Sequence, residues 1–405
     1  MPGMQMCPAS PSHPPSLTEG IEHHASSGTS AEPGATPMAM LMTTRGRWTL
    51  MFHANAFLAD IQQTSPRGGD KFFSVNWAMP MAERRLGPGE LTLRAMLSLE
   101  PATITGREYP LLFQQGETAY GRPIVDGQHP HDFFMELAAL YDVPLGERGL
   151  LSFYYAPEGD PALGPTAYPH RASAAENPVA PLGHHQEDST HIAGNVATVG
   201  LTHGPVRVEA SGFHGQEPDE HRWQIEPGAM DSWAARLTVQ PGRYWSGQYS
   251  YGRLRAPEAL FPTEDQQRMT ASVMYDRSVA GGNLAATALW GRTRSLSDGA
   301  KENSYLVEAT MQFRRSNYVW TRIENAGRSN ELLLDGAPLP VSFSEQPIGH
   351  VQAYTLGYDH DVPLIAHVRS ALGAQVTTYG VPSALRSAYG RDPVGVVMFV
   401  RLRPF

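Results

Sequence analysis

Within the eight residues from 184 to 191 the chain places His184, His185, Glu187, Asp188 and His191, three imidazoles and two carboxylates. Nitrogen and carboxylate-oxygen donors at that density suit Zn, Ni or Cu(II). On a helix, His184 and Asp188 share a face at i, i+4, with His191 one turn on. On a strand the partition differs: His185, Glu187 and His191 point one way, His184 and Asp188 the other. Two further segments carry the same donors. One holds His129, His131 and Asp132; the other runs from His214 through Glu217, Asp219 and Glu220 to His221. The single Cys7 excludes a multi-cysteine site and an internal disulfide framework, so a metal must be held by His, carboxylate or Met.

The bulk numbers bound what could position these groups. At 405 residues, 41% hydrophobic and 18% charged, the chain can bury a large core. Its 39 glycines and 34 prolines favour a turn-rich, all-β architecture. A net charge of -9 and no Lys/Arg-rich run exclude nucleic acid as a partner class. No stretch approaches the length of an apolar membrane helix, but a mean hydropathy of -0.33 is compatible with a membrane barrel, whose strands alternate lipid-facing and lumen-facing residues.

Residues 1–45 show no apolar period and read as a disordered leader, within which His13, His23, His24, Met38, Met40 and Met42 could weakly bind a soft ion such as Cu(I). From residue 46 to 405 the period is two. Trp48, Leu50 and Phe52 alternate with His53 and Asn55; Phe73, Val75, Trp77, Met79 and Met81 form one apolar series; Leu91, Leu93, Leu97 and Leu99 oppose Arg94 and Glu100. Charges on the off-face of so apolar a strand indicate a wet interior. About 16 strands follow one another, with about eight long connections on one side and about seven short turns on the other. The fold expected is an antiparallel transmembrane β-barrel. Aromatics at strand ends, among them Trp48, Tyr141, Tyr154, Tyr155, Trp233, Trp245, Trp290 and Trp320, can form two interfacial girdles.

Strand parity then assigns sides. The lumen series is Arg94, Glu136, Asn195, Arg207, Glu209, Arg236, Glu308, Arg322, Glu324 and Arg369, with Asp132 and His191 at its rim. The stretch 184–191 reads as the descent into a strand, which turns His185 and Glu187 inward and His184 and Asp188 away. His129 and His131 are expected above the bilayer. The metal-ligand candidates are therefore His185, Glu187, His191, His131, Asp132, His214 and His221, and the loops at about 101–130 and 156–190 are those expected to fold inward.

From residue 47 to 405 the chain resembles bacterial outer-membrane β-barrels of porin size, and Phe405 is similar to the terminal aromatic that such barrels present to their assembly machinery. Arg401 and Arg403 share the parity of Phe405, while Val396, Met398, Val400 and Leu402 form the apolar face, a departure from that pattern. The segments 126–132, 184–191 and 212–223 resemble a group of outer-membrane barrels associated with copper and other heavy-metal resistance systems. The resemblance implies an outer-membrane channel or binding protein, with lipid, the barrel-assembly machinery and small solutes or metal ions as partners, and Cu or Zn as candidate ions. The start Met-Pro-Gly-Met-Gln-Met has neither the basic nor the apolar region of a signal peptide. Two other readings compete with a non-enzymatic barrel. One is a lipid-modifying barrel hydrolase using Ser189 and His191, although no Gly-x-Ser-x-Gly elbow occurs; the other is a soluble periplasmic β-rich binding protein.

Overall fold

The computed structural model describes residues 5–6, 16–23, 26–38 and 40–404. Sixteen strands make one closed antiparallel barrel: β1 (Trp48–Thr64), β2 (Asp70–Leu86), β3 (Gly89–Leu97), β4 (Phe134–Leu145), β5 (Gly149–Gly159), β6 (Ala193–His203), β7 (Val206–Phe213), β8 (Ser232–Gly242), β9 (Trp245–Leu254), β10 (Gln266–Val279), β11 (Gly282–Ser295), β12 (Lys301–Phe313), β13 (Asn317–Ser329), β14 (Pro347–Ile365), β15 (Val368–Gly380) and β16 (Val394–Arg403). Each pairs with the next, and β16 closes on β1 from Val394↔Thr64 to Leu402↔Ala56. Closure leaves no open edge, so every strand finds its ladder partner without water. Beyond the end of β16, a short accessory strand, Leu41–Arg45, pairs with the remaining edge of β1.

Alternation decides which face meets lipid. Leu93, Val199, Leu201, Val208, Val273, Val307, Ile323, Leu356, Leu372 and Met398 are exposed on the outside. Their opposites Thr92, Arg94, Thr198, Thr202, Arg207, Glu209, Glu308 and Arg322 are buried. Trp233 against Tyr251 marks the long-loop end of the outer surface, and Trp245 against Tyr275 the short-turn end. Two expectations about facing fail. Tyr154 and Trp320 are buried on the inner wall rather than in a girdle. Asn195 leans outward, its side-chain oxygen accepting from exposed Tyr155 Oη at 3.2 Å, because Ala197, Val199 and Leu201 form the apolar series of β6. The Phe73 to Met81 series turns inward, burying Phe73, Met79 and Met81.

The lumen is filled from both ends. The leader, expected to lack structure, contains in its described residues a helix, Leu17–Glu22, started by a Ser16 capping box, with Leu17 and Ile21 packed on Leu150. Residues 26–38 then cross the lumen. Arg94 donates to the carbonyls of Ser26 (2.7 Å) and Gly28 (2.5 Å) and pairs with Glu136 at 2.7 Å, while Arg236 donates to Thr29 Oγ1 at 2.8 Å. Gly28 has φ +58°, and a Cβ there would stand 2.7 Å from Asp160 Cβ, so only glycine fits. Leaders of this composition gain order here because buried wall guanidiniums need acceptors, and backbone carbonyls supply them. His13 and His24 lie outside the described residues, as does Phe405.

Docking of this segment should depend on pH. Burial pushes Glu32 from its ordinary 4.5 up to about 8, with the Ala172 N–H and Arg171 opposing and Asp276 and Glu308 assisting. Burial likewise raises Asp160 from 3.8 to about 8, against Arg236 and Arg94 and with Glu136. The docked form holds protons that a released form gives up. Docking is therefore fully supported below the ordinary carboxylate range and loses support as pH rises toward about 8. Amide exchange across 26–38 should be slowest near pH 4 after correction for intrinsic rates; slower corrected exchange at pH 8 would contradict it.

Candidate metal centre in the lumen

The two longest loops on the outer side, 98–133 and 160–192, fold into the barrel, as their length led us to expect. Wall arginines hold the second loop by its backbone: Arg236 donates to Gly164 O (3.1 Å), Arg322 to Val179 O (2.9 Å) and Arg328 to Leu182 O (2.5 Å). Its end forms one helical turn, His184–Glu187, then a 3-10 turn, Ser189–His191. That turn presses directly on β11 at Gly291, where a Cβ would lie 2.2 Å from Gln186 O. The close approach fixes how deep the histidines sit.

Five imidazoles meet there. His184 lies 5.2 Å from His185 and 5.3 Å from His191 between ring centroids, His191 lies 5.3 Å from His131, and His129 lies 6.4 Å from both His131 and His185. All five are buried. Three of them take their orientation from Asp188 or Glu100. His184 Nδ1 donates to Asp188 Oδ1 at 2.7 Å, and Asp188 is held by Arg171 at 3.1 Å; His191 Nδ1 donates to Asp188 O at 2.7 Å; His131 Nδ1 donates to Glu100 Oε2 at 2.9 Å. An imidazole fixed through Nδ1 offers Nε2 as its lone-pair nitrogen, the arrangement found around metal-bound histidine. His191 Nε2 is buried without a hydrogen-bond partner among the described residues.

The donors converge most tightly at Glu117, His185 and Glu217, whose ligand atoms all lie within 4.8 Å of one another. Glu117 Oε1 stands 2.9 Å from His129 Nε2 and 3.6 Å from His185 Nδ1. His129 Nδ1 already donates to Pro130 O at 2.9 Å, so its Nε2 lone pair faces a carboxylate lone pair. Two acceptors at that separation require a proton or a cation between them. Both ring nitrogens of His185 are also buried without hydrogen-bond partners among the described residues. Burial raises the Glu117 carboxyl and holds His129 and His185 well below the usual imidazole range, with Arg222 adding to the effect at His129 and His184 at His185. Burial lifts Glu217 to about 7 although Arg268 donates to it at 2.7 Å. Burial thus favours neutral His129 and His185, the form that ligates metal, beside carboxyls ready to exchange a proton for an ion.

No protein-family model matches the chain, and no curated protein matches it by sequence. Among solved structures, the barrel is similar to an anion-selective porin from Comamonas acidovorans. The TM-score is 0.53 at 11% identity, covering 88% of this chain and 99% of that one. It is also similar to Salmonella typhi OmpF in complex with daunomycin, with a TM-score of 0.52 at 11% identity over 89% of this chain and 99% of that one. At that identity the likeness is one of fold: a closed 16-strand transmembrane barrel.

Placed in this barrel, the ligand candidates sort themselves. His185, His191, His131 and Asp132 lie in or beside the cluster, Asp132 with Arg222 at 3.5 Å. Stretch 184–191 is helical rather than a strand, so His184 joins the cluster, while Glu187 turns to the wall and accepts from Ser304 Oγ at 2.9 Å. His129 and His131 are buried, because the loop 98–133 folds inward with them. His214 and His221 stay outside, His214 against Asp231 at 3.4 Å and exposed His221 against Asp219 at 2.9 Å. Ser189 Oγ donates to His185 O at 3.4 Å and accepts from Arg268 at 2.6 Å; no hydrogen bond joins it to His191 among the described residues, so the hydrolase pairing finds no support. Glu117 carried no signal in sequence, since a lone glutamate in a long loop shows neither period nor motif.

Proposed function

We propose that this is an outer-membrane barrel that captures a transition-metal ion of the Zn(II) or Cu(II) type inside its lumen. The observation that carries this reading is the lone-pair convergence of His129 Nε2, both nitrogens of His185 and the carboxylates of Glu117 and Glu217 in a buried pocket. Imidazole and carboxylate are the donors such ions prefer. The outer-membrane setting rests on the lipid-facing apolar exterior and on the fold shared with porins. The filled lumen favours selective binding over free sieving.

Calorimetric titration of Zn(II) and Cu(II) into the detergent-solubilised full chain tests it. Binding of an ion with release of protons is expected, and His185→Ala or Glu117→Gln should weaken it by roughly 10- to 100-fold or more, since even partners one shell out cost that much. Heat-dependent gel mobility verifies that each variant keeps its barrel. Equal affinity in the variants would sink the assignment.

A further inference from the structure

We propose a second lumenal site, built from thioethers and imidazoles on the wall of β1 to β4, that binds a soft monovalent cation, Cu(I) or Ag(I). Inward positions of a wetted barrel are ordinarily polar. On this wall the strand register instead lines up sulfur. Met51 pairs directly with Met81, and one level nearer the outer side His53 pairs with Met79. Met96 pairs with Glu136 across the β3–β4 seam, one residue from inward-turned Met135. Inward side chains on paired strands have Cβ atoms about 5 Å apart, so flexible thioethers from adjacent strands can converge on one ion. Met40 packs onto the same cluster from the leader.

Two imidazoles reach this patch from different elements. His170, on the inserted loop, sets Nε2 2.7 Å from Met96 Sδ. His53 lies 5.8 Å from His170 between centroids, and its Nε2 is buried without a hydrogen-bond partner among the described residues. Trp77 stands beside both rings, at 4.9 Å from His53 and 4.1 Å from His170. A cavity of about 300 Å³ bordered by Met40, His53, Trp77 and His170 adjoins the cluster and gives an ion a way in. Methionine can serve simply to fill space. Here it takes neighbouring positions on successive strands beside a bare imidazole nitrogen, whereas the chain fills its outer face with Leu and Val. Thioether and imidazole select Cu(I) and reject hard cations. None of these residues belongs to the imidazole–carboxylate centre, so the two sites stand or fall separately.

The test uses the full chain in detergent under anaerobic conditions, with Cu(I) held by bicinchoninate as competitor and Ag(I) as a redox-inert probe. The protein should withdraw Cu(I) from the chelator. The volume-conserving Met79→Leu/Met81→Leu/Met96→Leu variant should bind it at least roughly 10- to 100-fold more weakly while Zn(II) binding is unchanged. His185→Ala should show the reverse pattern. Should the triple variant fail to fold, full chain labelled with 13C at the methionine methyls gives the answer: Ag(I) should shift a subset of methyl signals. Failure to compete with the chelator, undiminished affinity in a folded triple variant, or unmoved methyl signals would overturn the proposal.

Discussion

Excising residues 162–190 and closing the gap with a short Gly/Ser turn should convert a barrel that conducts poorly into an open pore. The geometry permits the cut, because Gly159 and Ala193, at the two ends of the loop, are already paired neighbours in the β5–β6 ladder. The ladder that defines the barrel does not run through the loop, so closure of β16 on β1 should survive. What leaves is the part of the lumen occupied by Gly164, Val179 and Leu182, whose carbonyls now hold Arg236, Arg322 and Arg328. Those guanidiniums would not be stranded: water enters and solvates them, and Arg236 and Arg322 keep their partners Glu209 and Glu308 at 3.0 Å each. A barrel of 16 strands encloses a water-filled channel unless it is plugged. Planar-bilayer recordings should therefore show a several-fold rise in single-channel conductance over the full chain, and metal binding at the imidazole cluster should be lost. Unchanged conductance in a variant that still shows heat-dependent gel mobility would contradict the plug.

How far the sequence could be read follows from which positions obey a period. On a strand, lipid outside and water inside impose alternation, so Arg94, Glu136, Arg207, Glu209, Arg236, Glu308, Arg322 and Glu324 could be placed on the inner wall before any coordinates. Their role differs from a hydrated lining. Arg94, Arg236 and Arg322 anchor the leader and the inserted loop, a contact between distant segments that no local pattern encodes. Arg369 does lie at the cavity border, bonded to Asp361 at 2.8 Å near the short turns. Inside the loops alternation stops, which is why His184 was turned the wrong way and Glu117 was invisible. The apolar Phe73 to Met81 series shows why a stripe alone assigns no side: it marks burial, and a plug in the lumen buries side chains as well as lipid does. Arg401 shows the opposite case. Its inward parity was legible, and the structure adds Glu176 from the loop and Asp359 from β14 as the acids that make burial tolerable.

Glu308→Gln should have the second large effect, because this carboxylate joins the wall to the metal centre. Oε1 accepts from Arg171 Nε at 2.6 Å and from Ser173 Oγ at 2.9 Å, while Oε2 accepts from Arg322 Nε at 3.0 Å. Arg171 continues to Asp188, and Asp188 to His184, so one chain of charge-assisted bonds runs from β12 into the cluster. Neutralising Glu308 leaves two buried guanidiniums facing each other with Asp188 as the only acid still bonded to Arg171 among the described residues. Breaking a buried ion pair from one side costs about 3–5 kcal/mol. The barrel ladder should bear that loss, while the docking of 160–192 should not. Limited proteolysis should cut within the loop, and Zn(II) affinity should fall because His184 and His191 both take their orientation from Asp188. Replacing Arg171, Asp188, Glu308 and Arg322 together by apolar residues, Leu at 188 and Met at the other three, separates stability from positioning. Apolar replacement of a whole buried ionic group is often neutral or stabilising, so protease resistance should return, but His184 would lose the carboxylate that orients it and metal affinity should stay low. Recovery of metal affinity along with protease resistance would show that the charges merely fasten the loop and do not set the geometry of the histidines.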